Sequence, residues 1–262
     1  MRARVITLLA VVTISVSLAA IHAPAFGQVG ATPIDSTHYW TYHLQEPLYS
    51  PIQVTARDQF LTVYNPVYLD SLTRLVNWVI KNNSTVRDTL IHYTWWNIQN
   101  KIPVSKTVNV SNQFGDYPVF VENLEFLLTP AWKNVPQPGL PYANHYLCYR
   151  AHGFPGPGKN YFLRDEWRND VQNPLSMEYL CVPCWKNHAG VVYPPIDTDT
   201  HLALYPILPN SDVFFPFVKD QFRQNYYYVQ QRPIEYLLVP STKVDPTPEK
   251  RSTWGRLKTL YR

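Results

Sequence analysis

The apolar positions of this chain fall in short runs that alternate in period two. Ile52, Val54 and Ala56 form one such run, and Val108 and Val110 another. Strict alternation places one face of an extended chain in a core and the other in water, so these runs predict half-buried strands. Each run leads into a triplet made of Asp or Asn, then Gln or Glu, then an aromatic. The triplets are Asp58-Gln59-Phe60, Asn112-Gln113-Phe114, Asp165-Glu166-Trp167 and Asp220-Gln221-Phe222. The residue two before each is apolar: Ala56, Val110, Leu163 and Val218. An Asp or Asn there predicts an Asx turn, in which the side chain bonds its own backbone. Further strands are predicted after the triplet, over Leu61–Tyr64, Val119–Val121 and Tyr226–Val229. Apolar pairs close the pattern at Leu75-Val76, Leu127-Leu128, Leu180-Cys181 and Leu237-Leu238. Proline interrupts most helical windows, and Leu69–Ile80 is the best helix candidate.

The pattern recurs in register. His38, His92, His145 and His201 are separated by 54, 53 and 56 residues. An aromatic stands four residues past each: Tyr42, Trp96, Tyr149 and Tyr205. The triplet starts 20, 20, 20 and 19 residues after the His, and a Lys follows at 43, 41, 41 and 42 (Lys81, Lys133, Lys186, Lys243). Pro130, Pro183 and Pro240 precede the last three Lys by three residues, and Trp78 takes that place in the first. Several markers in step across four segments point to degenerate copies of one module of about 53 residues. The segments span residues 35–84, 89–136, 142–190 and 198–243. The expected fold is all-β, with the modules packed as one or two sandwiches or barrels. A four-bladed propeller is the alternative, although only 9 glycines are present for its tight turns.

Composition supports strands joined by proline-bearing loops, with 15% aromatic residues, 19 Tyr, 8 Trp and 24 Pro. The N-terminus adds a compartment. Arg2 and Arg4 precede an uncharged apolar run, Val5–Ile21, and small residues follow. Residues 1–27 therefore read as a secretory signal peptide, leaving a mature chain from Gln28 outside the cytoplasm, either extracellular or periplasmic. No later run is long and apolar enough to predict a transmembrane helix. Net charge is +4, six basic and two acidic residues fall in 243–262, and no basic face argues for nucleic acid. Residues 244–262 read as a solvated basic tail.

All three cysteines lie in the third segment. The place of Cys148 is held by Thr41, Trp95 and Leu204 elsewhere, and that of Cys181 by Val76, Leu128 and Leu238. The two sites lose Cys together and turn mostly apolar together, as two facing core positions joined by a disulfide would. An exported compartment suits that bond and leaves Cys184 as the odd thiol. A zinc site from Cys148, Cys181, Cys184 and His188 is the competing reading, with half of the usual spacing signature.

Three strings resemble a repeat domain of unknown function from secreted proteins of environmental bacteria. They are His145-Tyr-Leu-Cys148-Tyr149, Val108-Asn-Val-Ser-Asn112-Gln113-Phe114-Gly115, and Leu180-Cys181-Val-Pro183-Cys-Trp-Lys186-Asn187. The pattern is roughly H-x-x-C-Y, V-x-V-x-D-Q-F-G and L-C-x-P-x-x-K-N. The likeness is specific in segments two and three and looser in one and four, which lack both Cys, as segment two does. It implies export and the Cys148–Cys181 pairing, and it implies no activity.

Catalytic motifs are missing: there is no G-x-S-x-G, H-E-x-x-H, P-loop or G-x-G-x-x-G. Gly153–Gly158 is glycine-rich, but its prolines remove amide donors that a phosphate would need. Recurrence in every segment assigns His38, His92, His145 and His201 to architecture, and Asp58, Asn112, Asp165 and Asp220 to turn capping. No cofactor or metal is expected. Trp95, Trp132, Trp185, Tyr226, Tyr227 and Tyr228 are the candidates for a binding surface. The expected function is a secreted, non-catalytic protein with a structural or interaction role. Carbohydrate binding through exposed aromatics is the alternative, and an enzyme with a site at a module boundary the third reading. The partner would be a protein or glycan at the cell surface.

Overall fold

The computed structural model describes residues 37–244, apart from 85, 87–88, 135–138 and 140. The expected leader and the basic tail from 245 onward lie outside these residues. All regular structure described is β-strand, in accord with the all-β expectation. The strands are β1 (His38–Arg57), β2 (Asn65–Lys81), β3 (His92–Ile98), β4 (Pro103–Asn112), β5 (Gly115–Lys133), β6 (His145–His152), β7 (Tyr161–Arg164), β8 (Asn169–Gln172), β9 (Tyr179–His188), β10 (Val191–Tyr193), β11 (Thr200–Ile207), β12 (Val213–Phe214), β13 (Phe217–Lys219), β14 (Gln224–Tyr226), β15 (Val229–Gln230) and β16 (Glu235–Val244).

Eight of these strands pair antiparallel in a cycle. The order is β1, β2, β3, β5, β6, β9, β11, β16 and back to β1. Closure satisfies both edges of every member, which an open sheet cannot do. Each segment supplies its His-bearing strand and its Lys-bearing strand to this ring. A four-bladed propeller would instead keep each segment's strands in a sheet of its own. The register is the same four times: His38 faces Val79, His92 faces Ala131, His145 faces Cys184 and His201 faces Ser241. In every case the partner stands two residues before the segment's Lys.

Three sequence expectations are corrected. Leu69–Ile80 is not a helix but part of β2. Register shifts against β3 at Leu69/Ser71 and Leu72/Arg74 break the period of two. Leu69, Leu72 and Leu75 are all buried at a spacing of three, which imitates a helical stripe. Leu61–Tyr64 is turn and loop, and the following strand starts at Asn65. Val119–Val121 is strand as expected, whereas Tyr227 and Tyr228 lie between β14 and β15.

The ring has two apolar faces. On the enclosed one, rings from non-adjacent strands meet: Trp95 of β3 lies 5.8 Å from Tyr179 of β9 and 5.6 Å from Tyr236 of β16. One layer across this face holds the facing pairs Thr41/Val76, Trp95/Leu128, Cys148/Cys181 and Leu204/Leu238. Large and small side chains complement one another there, as filling a small ring of strands requires. Arg74 lies 4.7 Å over the Trp95 ring and reaches Glu235 at 3.2 Å. Glu235 is fully buried, and desolvation pushes its carboxyl up against the opposing pull of Arg74.

The other face carries Trp40, Tyr42, Trp96, Tyr149 and Tyr205, all fully buried in the larger core cluster. It is covered by the chain that each segment sends out between its two ring strands. That chain returns as a strand beside the segment two places away. Ala56 pairs with Lys186, Val110 with Lys243, Leu163 with Lys81 and Val218 with Lys133. In each pair the first residue stands two before the triplet and the second is the marker Lys.

Candidate functional site

The triplets sit where the outgoing chain turns, and each residue has its own task. The first builds the expected Asx turn. Asp58 Oδ1 accepts from the backbone N–H of Phe60 at 2.7 Å and of Leu61 at 2.8 Å. Asp165 Oδ1 accepts from Trp167 and Arg168, and Asp220 Oδ1 from Phe222 and Arg223. Asn112 Oδ1 accepts from Phe114 at 2.8 Å.

The second oxygen does what the sequence did not reveal. Asp165 Oδ2 accepts from Trp40 Nε1 at 2.7 Å, Tyr42 Oη at 2.8 Å and Asn77 Nδ2 at 2.6 Å. Asp220 Oδ2 accepts from Trp96 Nε1 at 2.8 Å and Thr94 Oγ1 at 2.6 Å. Tyr149 donates to Asp58 Oδ2 at 2.7 Å, and Asn112 Nδ2 donates to Tyr205 Oη at 3.0 Å. Segments one and three thus clasp each other, and so do two and four. The third triplet residue reinforces each clasp edge-on. Trp167 lies 4.9 Å from Tyr42, Phe222 5.4 Å from Trp96, Phe60 5.2 Å from Tyr149 and Phe114 4.9 Å from Tyr205.

The middle residue faces the preceding segment. Gln113 meets His38, Gln221 meets His145 at 3.2 Å, and Gln59 meets His201 at 2.6 Å, which joins the first segment to the last. Glu166 pairs with Lys133, whose amine burial lowers to about 7. All four His are buried, and burial holds His92, His145 and His201 below the ordinary imidazole value.

Cys148 and Cys181 are bonded across β6 and β9. That bond removes two ligands from the alternative zinc set. Cys184 is a free, buried thiol on the opposite face of β9, because a spacing of three reverses direction in a strand. Burial pushes this thiol well above its ordinary value. Among the described residues no His, Cys, Asp and Glu grouping could hold a metal ion.

A surface cleft of about 600 Å³ opens beside Asp58, Gln59, Pro183, Trp185, His201 and Lys243. A smaller one, of about 360 Å³, lies one segment further on, at Asn112, Gln113, His38 and Pro240. In the larger cleft two of the groups suited to acid–base work, His201 and Asp58, are engaged. His201 Nδ1 faces the Asp199 carbonyl at 2.8 Å, so it carries the proton, and Nε2 accepts from the Gln59 amide. Asp58 spends one oxygen on its turn and the other on Tyr149.

Of the predicted binding aromatics, Tyr226 and Tyr228 come together at the surface and the others do not join them. Trp95 is 2% exposed within the ring and Tyr227 is 6% exposed, so neither belongs to a surface. Trp95 stands at the repeat position of Cys148, which already marked it as core. Trp132 and Trp185 are half-buried; Trp132 Nε1 donates to the Gly139 carbonyl and Arg57 lies over the Trp185 ring. Tyr226 and Tyr228 are exposed, and Phe215, which the sequence reading missed, stacks with both, at 5.4 and 4.2 Å. Further exposed apolar side chains stand in the same outgoing chain of segment four, at Leu208, Val213 and Ile234.

Searches of protein families, curated proteins and solved structures find no match to this chain. The geometry alone therefore gives the class: an antiparallel all-β protein closed on itself and locked by buried polar clasps between segments.

Proposed function

We propose that this is a secreted, non-catalytic protein made of four copies of one module, with a structural or interaction role at or outside the cell envelope. One observation carries this reading. Three of the four recurring His, and the recurring aromatic and Asp/Asn side chains, bind other segments, while a stacked cluster of Phe215, Tyr226 and Tyr228 faces solvent. Exposed aromatics of this kind are the side chains that anchor protein interfaces. The disulfide suits an oxidising compartment, and the apolar leader would take the chain there.

A glycan partner is the second reading, favoured by exposed Tyr rings. A sugar platform needs free ring faces, and here the rings spend faces on one another at interplanar angles of 25° and 29°. A protein partner, gripping edges and hydroxyls, fits better. The test compares wild type with the triple variant Phe215→Ser, Tyr226→Ser, Tyr228→Ser. Capture of a defined envelope protein by wild type, lost in the triple variant at unchanged near-UV circular dichroism, supports the reading. Glycan-array hits that the same variant abolishes would replace it with carbohydrate binding. N-terminal sequencing of exported protein is expected to start at Gln28.

A further inference from the structure

We propose that the Lys186 amine and the Gln221 side chain join in an intramolecular amide, with loss of ammonia. Lys186 has no exposed surface, and among the described residues no carboxylate lies within ion-pair distance of it. Its Nζ meets Gln221 Oε1 and sits 3.3 Å from Thr129 Oγ1, below the rings of Tyr193 and Phe222 at 5.0 and 5.1 Å. Burial holds the amine well below its ordinary value, which favours its nucleophilic form.

The carboxamide is equally prepared. His145 Nε2 lies 3.2 Å from Gln221 Oε1, and with its proton on Nε2 it polarises the carbonyl. Among the described residues the buried Gln221 Nε2 has no hydrogen-bond partner, so the leaving nitrogen is held by nothing that would have to be broken. Both reactants are fixed by backbone. Lys186 is paired with Ala56 in the sheet, and Gln221 follows Asp220, whose Oδ1 holds the turn at 2.8 and 2.7 Å. Such preorganisation substitutes for an external catalyst.

The step balances without a redox partner. Nζ attacks Cδ, the Nζ–Cδ bond forms and the Cδ–Nε2 bond breaks. One Nζ proton passes to the departing nitrogen, and ammonia leaves. The amide would tie β9 to the turn of segment four across 35 residues. Lys133, which has a carboxylate partner in Glu166, satisfies its charge as an ion pair and serves as internal control.

The test is a tryptic map of reduced, purified wild-type protein. The expected result is one branched peptide joining the Lys186 and Gln221 segments, lighter by one ammonia than their sum and uncut after Lys186. In Gln221→Ala the branch is lost and trypsin cleaves after Lys186. A wild-type map with complete cleavage after Lys186 and an intact Gln221 overturns the proposal, whether or not the variant folds.

Discussion

The two faces of the ring are built on different rules. Across the outer face the same contacts occur four times, with an aromatic four residues past His meeting an Asp or Asn and a third-position ring. Across the enclosed face equivalent positions hold Thr41, Trp95, Cys148 and Leu204, which share neither size nor chemistry. Outer residues must fit a neighbouring segment whose geometry repeats, so each is constrained singly. Most enclosed residues of this layer fill a common volume, so a large Trp95 can offset a small Thr41, whose hydroxyl in addition donates to the buried Glu235.

The largest expected effect tests the outer rule. Trp96→Ala should cost about 3–5 kcal/mol, since it empties a fully buried site and removes a donor from Asp220. Trp96→Tyr, the residue of the other three segments, should cost less than about 1.5 kcal/mol because its hydroxyl can reach the same carboxylate. Urea melts read both, and equal losses would sink the distinction. On the enclosed face, replacing Cys148 and Cys181 by Ala should lower stability by about 3–4 kcal/mol through the loop that the bond closes. Copying Trp95 into the first segment as Thr41→Trp should cost about 1–3 kcal/mol, because it overfills the layer beside Trp95 and removes the hydroxyl that binds Glu235 and the Tyr236 N–H.

A smaller effect separates the clasps. Burial raises Asp58 above its ordinary value of 3.8, so the folded protein holds this proton more tightly than the unfolded chain. Stability at this site therefore falls as pH rises from 3.8 towards the folded value, and stays lower above it. Asp58→Asn carries no such proton and copies Asn112. It should change neutral-pH stability by less than about 1 kcal/mol and flatten that part of the Tm–pH curve. An unaltered slope would show that Asp58 is not its source. Smallest of all, Tyr226→Ser should shift stability by less than about 0.5 kcal/mol, since its ring is 58% exposed.

Much of the outer face was legible because its residues recur. The strand before each triplet, the Asx turn and the burial of its apolar residue are where the pattern placed them. The cysteine pair was readable for the same reason, as a joint departure from two aligned positions. The helix expected over Leu69–Ile80 failed because bulges give a strand the spacing of a helix. Trp95 and Tyr227 were misplaced because neighbouring residues in extended chain point to opposite sides, so adjacent aromatics share no surface.

Sequence by itself determined the strand-rich character and the Asx turns, and it favoured the pairing of Cys148 with Cys181 over a zinc site. Those follow from local alternation, from side chains that bond their own backbone and from aligned substitutions. Only the tertiary structure decided that the ring closes, that Asp165 receives Trp40 across 125 residues, and that Lys186 meets Gln221 away from solvent. Those depend on which distant segments share a boundary, and no local pattern along a chain encodes that choice.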